Sequence, residues 1–300
     1  ESQERMLVIS DPINLSKIKQ ICDKFRIQCS VIGKVKEDKM MHVKNGDETL
    51  ALLPADFVAR GPLIDRDKSK PEYLSKLPSS PSSENEMPLS DILLKLLSSP
   101  NIASKHWVFR QYDHEVGIRT VIKPGFDGSV LRLDNGKFLS VKIDGNPKHC
   151  YIDPRQGAIG CFEEACRNVV CTGATPIGMV DHLQFGNPED PEIFWTFMES
   201  IEGITDFAKF LDIPCVGGKV SFYNETSDGP IKPTPLIGVL GIIEKSPLLP
   251  TPPSNNDIIL LIGETKDELG GSEYYEYIHN FIGGVAPKVD FSESKKNMKS

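Results

Sequence analysis

No apolar run in the 300-residue chain reaches the ~18 residues that a membrane-spanning helix needs, which argues against a helical membrane protein. There is no excess of positive charge: 34 basic against 42 acidic residues leave −8, the wrong sign for a general nucleic-acid binder, although a local phosphate site stays open. The seven cysteines include no Cys-x-x-Cys pair, and the odd count fits no disulfide framework. Cys161, Cys166 and Cys171 fall at five-residue steps, which rotate around a helix and do not converge on a metal. No His-x-x-x-His pair is present to hold zinc. No leader pattern is read at the opening Glu1-Ser2-Gln3-Glu4-Arg5, which has no initiator Met, so the chain is expected to be a piece of a longer protein. Reduced thiols and no leader make the expected location cytoplasmic. What is present, 39% apolar and 25% charged residues, suffices for a sizeable core in two domains or parts of them.

Along the chain the pattern divides into four parts. In residues 1–65, Met6–Ile9, Ser30–Gly33, Met40–Val43 and Thr49–Leu53 read as strands, and Asp11-Pro12 opens a helix with Ile18, Ile21, Cys22 and Phe25 on one face. Asn45-Gly46-Asp47 is a turn signal. Residues 66–105 hold Pro71, Pro78, Pro81 and Pro88 among serines and charges, a linker composition, followed by a short apolar helix capped at Ser90-Asp91. Residues 106–245 read as one complete domain. Its expected strands are Ser129–Leu133, Phe138–Ile143, Ile177–Leu183, Ile213–Val216 and Leu236–Ile243, and its helices Gly157–Thr172 and Pro188–Leu211. The aromatic stripe around Trp195 has helical spacing and reads as core. Residues 246–300 start another unit, with a strand at Ile258–Ile262, a helix over Gly271–Ile282 and a charged tail from Ser292 to Ser300.

Three segments carry chemistry. Gly217-Gly218-Lys219-Val220-Ser221 follows an expected strand. Paired glycines let backbone N–H groups approach an anion, with lysine and serine adding charge and a hydrogen bond; the alternative is an ordinary tight turn. The Walker A spacing is absent. Asp181, ending an apolar strand, is placed either to meet Mg²⁺ or a nucleotide hydroxyl, or to cap the next loop. Asp144-Gly145-Asn146-Pro147 and Asp153-Pro154 read as turn and helix-capping chemistry.

In order, however, these segments join a longer series: Arg110-Gln111-Tyr112-Asp113-His114-Glu115, Pro124-Gly125-Phe126-Asp127-Gly128, Ala165–Ala174, Asp181-His182-Leu183-Gln184-Phe185-Gly186, Gly217–Thr226, and Leu269-Gly270-Gly271-Ser272-Glu273-Tyr274. The series resembles the large (synthetase, PurL-type) subunit of phosphoribosylformylglycinamidine synthase, in its C-terminal portion. The resemblance covers essentially the whole chain and is weakest in the linker.

It implies an α/β (α+β) fold with a PurM-like N-terminal-type domain around a mixed sheet, flanked by partial PurM C-terminal-type α+β units. Residues 1–65 would end the first C-terminal-like domain, 66–105 would be linker and short helix, 106–245 the second N-terminal-like domain, and 246–300 the start of the second C-terminal-like domain. The family converts formylglycinamide ribonucleotide, ATP and glutamine-derived ammonia to the amidine, ADP and phosphate. ATP phosphorylates the formamide oxygen, and ammonia then displaces the phosphate. The implied cofactors are ATP and Mg²⁺; the implied partners are a glutaminase subunit and a small adaptor subunit, or a fused glutaminase domain, with no nucleic acid and no membrane.

By residue, the resemblance implies that Asp181, Gly218 and Lys219 bind ATP and that Glu1, Ser2, Gln3 and Ser221 bind substrate. Position 219 is usually an Asn whose oxygen binds Mg²⁺, a role closed to a lysine. The catalytic repeat's His corresponds to Asn146, and its metal-binding Asp to Asn168. No catalytic residue is therefore expected here, and the metal ligands stay unassigned. This half is expected to be the degenerate, non-catalytic repeat, contributing nucleotide and substrate contacts. The competing expectations are a nucleotide-binding scaffold without activity, or another ATP-dependent enzyme of the PurM superfamily such as the aminoimidazole ribonucleotide synthetase.

Overall fold

The computed structural model describes residues 5–61, 63–82 and 87–299. They fall into two compact units divided after Asp65. In the first, Asp11 caps a turn at Pro12 that runs into α1 (Leu15–Lys24). An antiparallel hairpin follows, β1 (Met40–Asn45) and β2 (Glu48–Pro54), turning at Gly46-Asp47, and then α2 (Ala55–Arg60). Met6–Ile9 and Ser30–Gly33, expected as strands, carry none: a strand needs a ladder partner, and neither segment has one among the described residues.

In the second unit, the expected linker lies against neighbouring elements. Its short helix α3 (Tyr73–Lys76) stacks Tyr73 on Tyr151 at 4.5 Å, and the Tyr73 hydroxyl donates to the Tyr151 carbonyl. Burial beside Tyr151 and Glu192 takes the Tyr73 phenol well above its ordinary range. Helix α4 (Leu89–Ser98) follows, starting after Pro88; Ser90 sits inside its first turn and does not cap it. Next come the four-residue α5 (His106–Phe109) and three antiparallel strands, β3 (Thr120–Ile122), β4 (Ser129–Arg132) and β5 (Phe138–Asp144).

Asn146 caps α6 (Pro147–Ile152), and Asp153 caps α7 (Pro154–Val170), each carboxyl or amide oxygen accepting from free N–H groups of the first turn. The turn-and-cap reading of both segments is thus what the structure shows. Strand β6 (Thr175–Gln184) leads through α8 (Pro191–Leu211) to β7 (Cys215–Ser221). A small ribbon of β8 (Glu225–Thr226) and β9 (Gly229–Pro230) precedes β10 (Thr234–Ile243). The sheet order is β3-β4-β5-β10-β6-β7, with every pair antiparallel except β6–β7. It is a mixed sheet with α7 packed on one face.

The core lies between that face and α7, where Val130, Met179, Ile237 and Val239 meet Ala158, Phe162, Ala165 and Val169, all at most 1% exposed. From α8 come Phe207, edge-on to Phe162, and Ile204. Trp195 is not part of this core. It is half-buried, with the Lys70 ammonium 5.9 Å from its ring, because the inward face of α8 is set by Thr196, Ser200, Gly203, Ile204 and Phe207. The expected charged tail is also different. Asp290 caps α9 (Phe291–Asn297), whose Phe291 packs on Phe207 and Phe210 and whose Ser294 donates to buried Glu163. Ile258–Ile262 carries no strand, and the expected helix over Gly271–Ile282 is reduced to a π-wound turn at Tyr274–Ile278.

Candidate functional site

Strand register sets the site. Asp144, Ile237, Asp181 and Gly218 occupy one row across β5, β10, β6 and β7. Paired residues share a face, so both carboxylates project to the α7 side, about 10 Å apart across β10. Gly217 and Gly218 are not the expected turn; both are residues of β7, and neither has positive φ. Gly218 answers to a close approach. A Cβ there would stand 2.3 Å from Asp181 Oδ1, so the absent side chain makes room for the carboxylate. Missing from the sequence reading was Cys215, whose thiol reaches Asp181 Oδ2 at 3.6 Å and the Gly217 carbonyl at 3.3 Å. Burial raises its pKa, the Asp181 carboxylate adds to this, and the backbone hydrogen bond at Gly217 opposes it. Only the irregularity of the β6–β7 pairing after Met179 brings Cys215 round to Asp181, and no sequence spacing announces that.

Lys219 does not join Asp181 and Gly218. Alternation along β7 puts Lys219 and Ser221 on the opposite face, beside His182 and Gln184 of β6. Lys219 is exposed and forms no ion pair among the described residues. Ser221 is half-buried and lies 3.3 Å from Asn224 Oδ1; the Asn224 amide donates to the carbonyls of Ser221 and Phe185. Because β7 has a neighbour on one side only, its outer backbone edge is open to both faces. Glu1, Ser2 and Gln3 lie outside the described residues.

Asn168 and Asn146 both make structural contacts. Asn168, on α7, donates from Nδ2 to Asp144 Oδ2 at 2.9 Å, and Lys142 Nζ stands 3.7 Å from the other oxygen. Burial lifts the Asp144 pKa, partly offset by Asn168 and Lys142. A second carboxylate at 168 would face Asp144 as a like charge and call for a cation between them; the amide bonds directly instead. Asn146 accepts from the Lys148 and His149 N–H groups and so is spent on the helix cap. Among the described residues no three His, Cys, Asp or Glu side chains converge on a point.

Next to the Asn146 cap stands a nearly enclosed ionic cluster. Lys148 pairs with Glu273, and with Glu276 at 2.8 Å; the Lys148 and Glu273 side chains are only 13% and 14% exposed. Glu273 also accepts from Ser99 and from Asn101. Burial alone would raise the Glu273 pKa, but the hydrogen bonds from Lys148, Ser99 and Asn101 hold it down at about 2. For Lys148 burial works to lower the pKa, and the two glutamates reverse this and raise it. His149 next door is lowered, by burial and by the Lys148 charge.

With that geometry in place, the likenesses to known proteins can be set beside it. Residues 125–243, from the β3–β4 connection through β10, match the family AIR synthase related protein, N-terminal domain. The phosphoribosylformylglycinamidine synthase subunit PurL of Methanocaldococcus jannaschii is 44% identical over 99% of this chain and 42% of its own length. The chain thus spans about two fifths of the curated relatives it matches. Among solved structures, Thermotoga maritima PurL complexed with ATP aligns with TM-score 0.63 and 26% identity over 81% of this chain and 38% of that one. The same protein complexed with FGAR gives 0.60 and 25% over 79% and 36%. PurLQS from that organism gives 0.63 and 25% over 79% and 37%.

Proposed function

Because the chain belongs to the family of phosphoribosylformylglycinamidine synthase subunit PurL, we propose that it is the non-catalytic repeat of an ATP-dependent carbon–nitrogen ligase of purine biosynthesis. In this reading the complete protein converts formylglycinamide ribonucleotide, ATP and glutamine-derived ammonia to formylglycinamidine ribonucleotide, ADP and phosphate. The ammonia comes from a glutaminase partner, consistent with the PurLQS assembly of the Thermotoga relative. Residues 106–245 are the second N-terminal-type domain, 1–65 the end of the first C-terminal-type domain, 66–105 the connection and 246–300 the start of the second C-terminal-type domain. The expected setting is the cytoplasm.

The observation that carries the non-catalytic role is the Asn168–Asp144 hydrogen bond. It closes, with a neutral amide, the place where a catalytic repeat would need a second carboxylate. Asn146, an acceptor already bonded to two N–H groups, offers no proton to a reacting substrate. Asp181 and Gly218 are left to position nucleotide, with Lys219 and Ser221 reaching ligand groups around the open edge of β7. Mg²⁺ would accompany the nucleotide phosphates, which supply most of its oxygen ligands.

Two experiments test this reading. The 300-residue chain alone is expected to give no ATP-dependent amidine formation, and activity should return when the remainder of the protein is supplied. Turnover by the chain alone would overturn the assignment. Lys219→Ala in the complete enzyme is expected to raise the nucleotide Kd by about tenfold, one decade being ~1.4 kcal/mol and a charge-assisted contact worth roughly 1.5–3 kcal/mol. An unchanged titration would leave Lys219 a solvent-facing lysine and remove it from the site.

A further inference from the structure

The far edge of the sheet carries a feature that the nucleotide reading does not use. An open cleft of about 930 Å³ lies between the segment from Asn101 to Arg110, His114, and the β3–β4 connection at Lys123–Phe126. Three cationic side chains line it, Lys105, Arg110 and Lys123, together with His106 and His114, and no carboxylate does. This concentration stands on a chain whose net charge is −8. The charges are only partly answered. Lys123 pairs with Glu115 at 2.8 Å, and Lys105 donates to the carbonyls of Pro100 and Ala103, which orient its ammonium without neutralising it. Arg110 has no ion pair among the described residues, so its guanidinium fork is free for a planar multi-oxygen anion.

The walls suit an organic body beside that anion. Phe109 packs edge-on against His106 and His114, and Phe126 is 56% exposed. Gly125, at φ +112°, lets the loop pass the Phe109 ring; a Cβ there would sit 3.3 Å from its Cζ. The volume is that of a small-molecule site. Four strand spacings separate β3 from β6, about 20 Å, so one small ligand cannot occupy both this cleft and the Asp181–Gly218 site.

We propose that this cleft is a second anion site, which binds the phosphate of a phosphorylated small molecule through Arg110, Lys105 and Lys123, with its organic part against Phe109 and Phe126. The test is a calorimetric titration of inorganic pyrophosphate into the 300-residue chain at low ionic strength. Arg110→Gln, at an exposed position that leaves the fold intact by circular dichroism, should weaken binding by about tenfold or more; Lys123→Gln should weaken it less, since Glu115 already shares that charge. Lys245→Gln, an exposed cation outside both the cleft and the Asp181–Gly218 site, should leave the binding unchanged. Three results would overturn the proposal: wild-type affinity in Arg110→Gln, loss of binding in Lys245→Gln, or tighter binding of a tetraglutamate peptide than of pyrophosphate.

Discussion

Gly218→Ala in the complete enzyme is expected to cost nucleotide affinity about tenfold or more while leaving the melting temperature nearly unchanged. The new methyl would stand 2.3 Å from Asp181 Oδ1 and 2.9 Å from its Cγ. The group in its way is the end of a side chain rather than backbone, so the strand holds and the carboxylate swings aside. Asp181 is then no longer aimed where β6 placed it, and a misdirected carboxylate forfeits the hydrogen bond it was positioned to make, ~1.4 kcal/mol corresponding to one decade in Kd. Calorimetric titration of ATP alongside a thermal melt separates the two effects. If the affinity is retained, the Asp181–Gly218 contact does not serve nucleotide binding; if the melt collapses, the contact is one of packing.

The second large effect is on stability. Lys148→Met removes the one cation from between Glu273 and Glu276, and stripping a partner from an enclosed ion pair costs roughly 3–5 kcal/mol because a charge is left without compensation. The double change Lys148→Met with Glu273→Leu should recover part of that loss, since Ser99 and Asn101 are small and can turn to other acceptors. The cluster also predicts acid sensitivity. Glu273 titrates at about 2 when folded against an ordinary 4.5, so its contribution is complete above pH 4.5 and drains away as pH falls towards 2. Denaturant unfolding of the wild type should therefore weaken across that window, and Lys148→Met should flatten the dependence. Parallel pH profiles for the two proteins would show that Lys148 is not what holds Glu273 ionised.

The central domain was legible because its signals are local and mutually consistent. β5, β6 and β10 are apolar runs, Asp153-Pro154 carries a capping signal just before α7, and the helix expected from Pro188 starts three residues later, at Pro191 behind its Asp190 cap. Segments whose structure depends on a partner were not. Ile258–Ile262 is as β-prone as β10, yet no strand pairs with it among the described residues. At the site, the residue types around Asp181 were readable and their geometry was not. A glycine pair reads equally as a turn and as a strand making room for a neighbour, and only the register with β6 distinguishes the two. The same register sends Lys219 to the other face, which no linear motif conveys. Lys148 and Glu273 are 125 positions apart, so their pairing had no sequence signal at all.

The sheet has no middle until its last strand is made. β10 lies between β5 and β6, yet it follows them by ninety and fifty residues in the chain, so each presents a bare inner edge while β7 and the small ribbon are still being added. Neither half can close the core alone, because Ile237 and Val239 arrive with β10. The row from Asp144 to Gly218 is bridged by Ile237. Its two carboxylates therefore take their spacing from β10, and the chemistry of the site is set by the strand that contributes none of it.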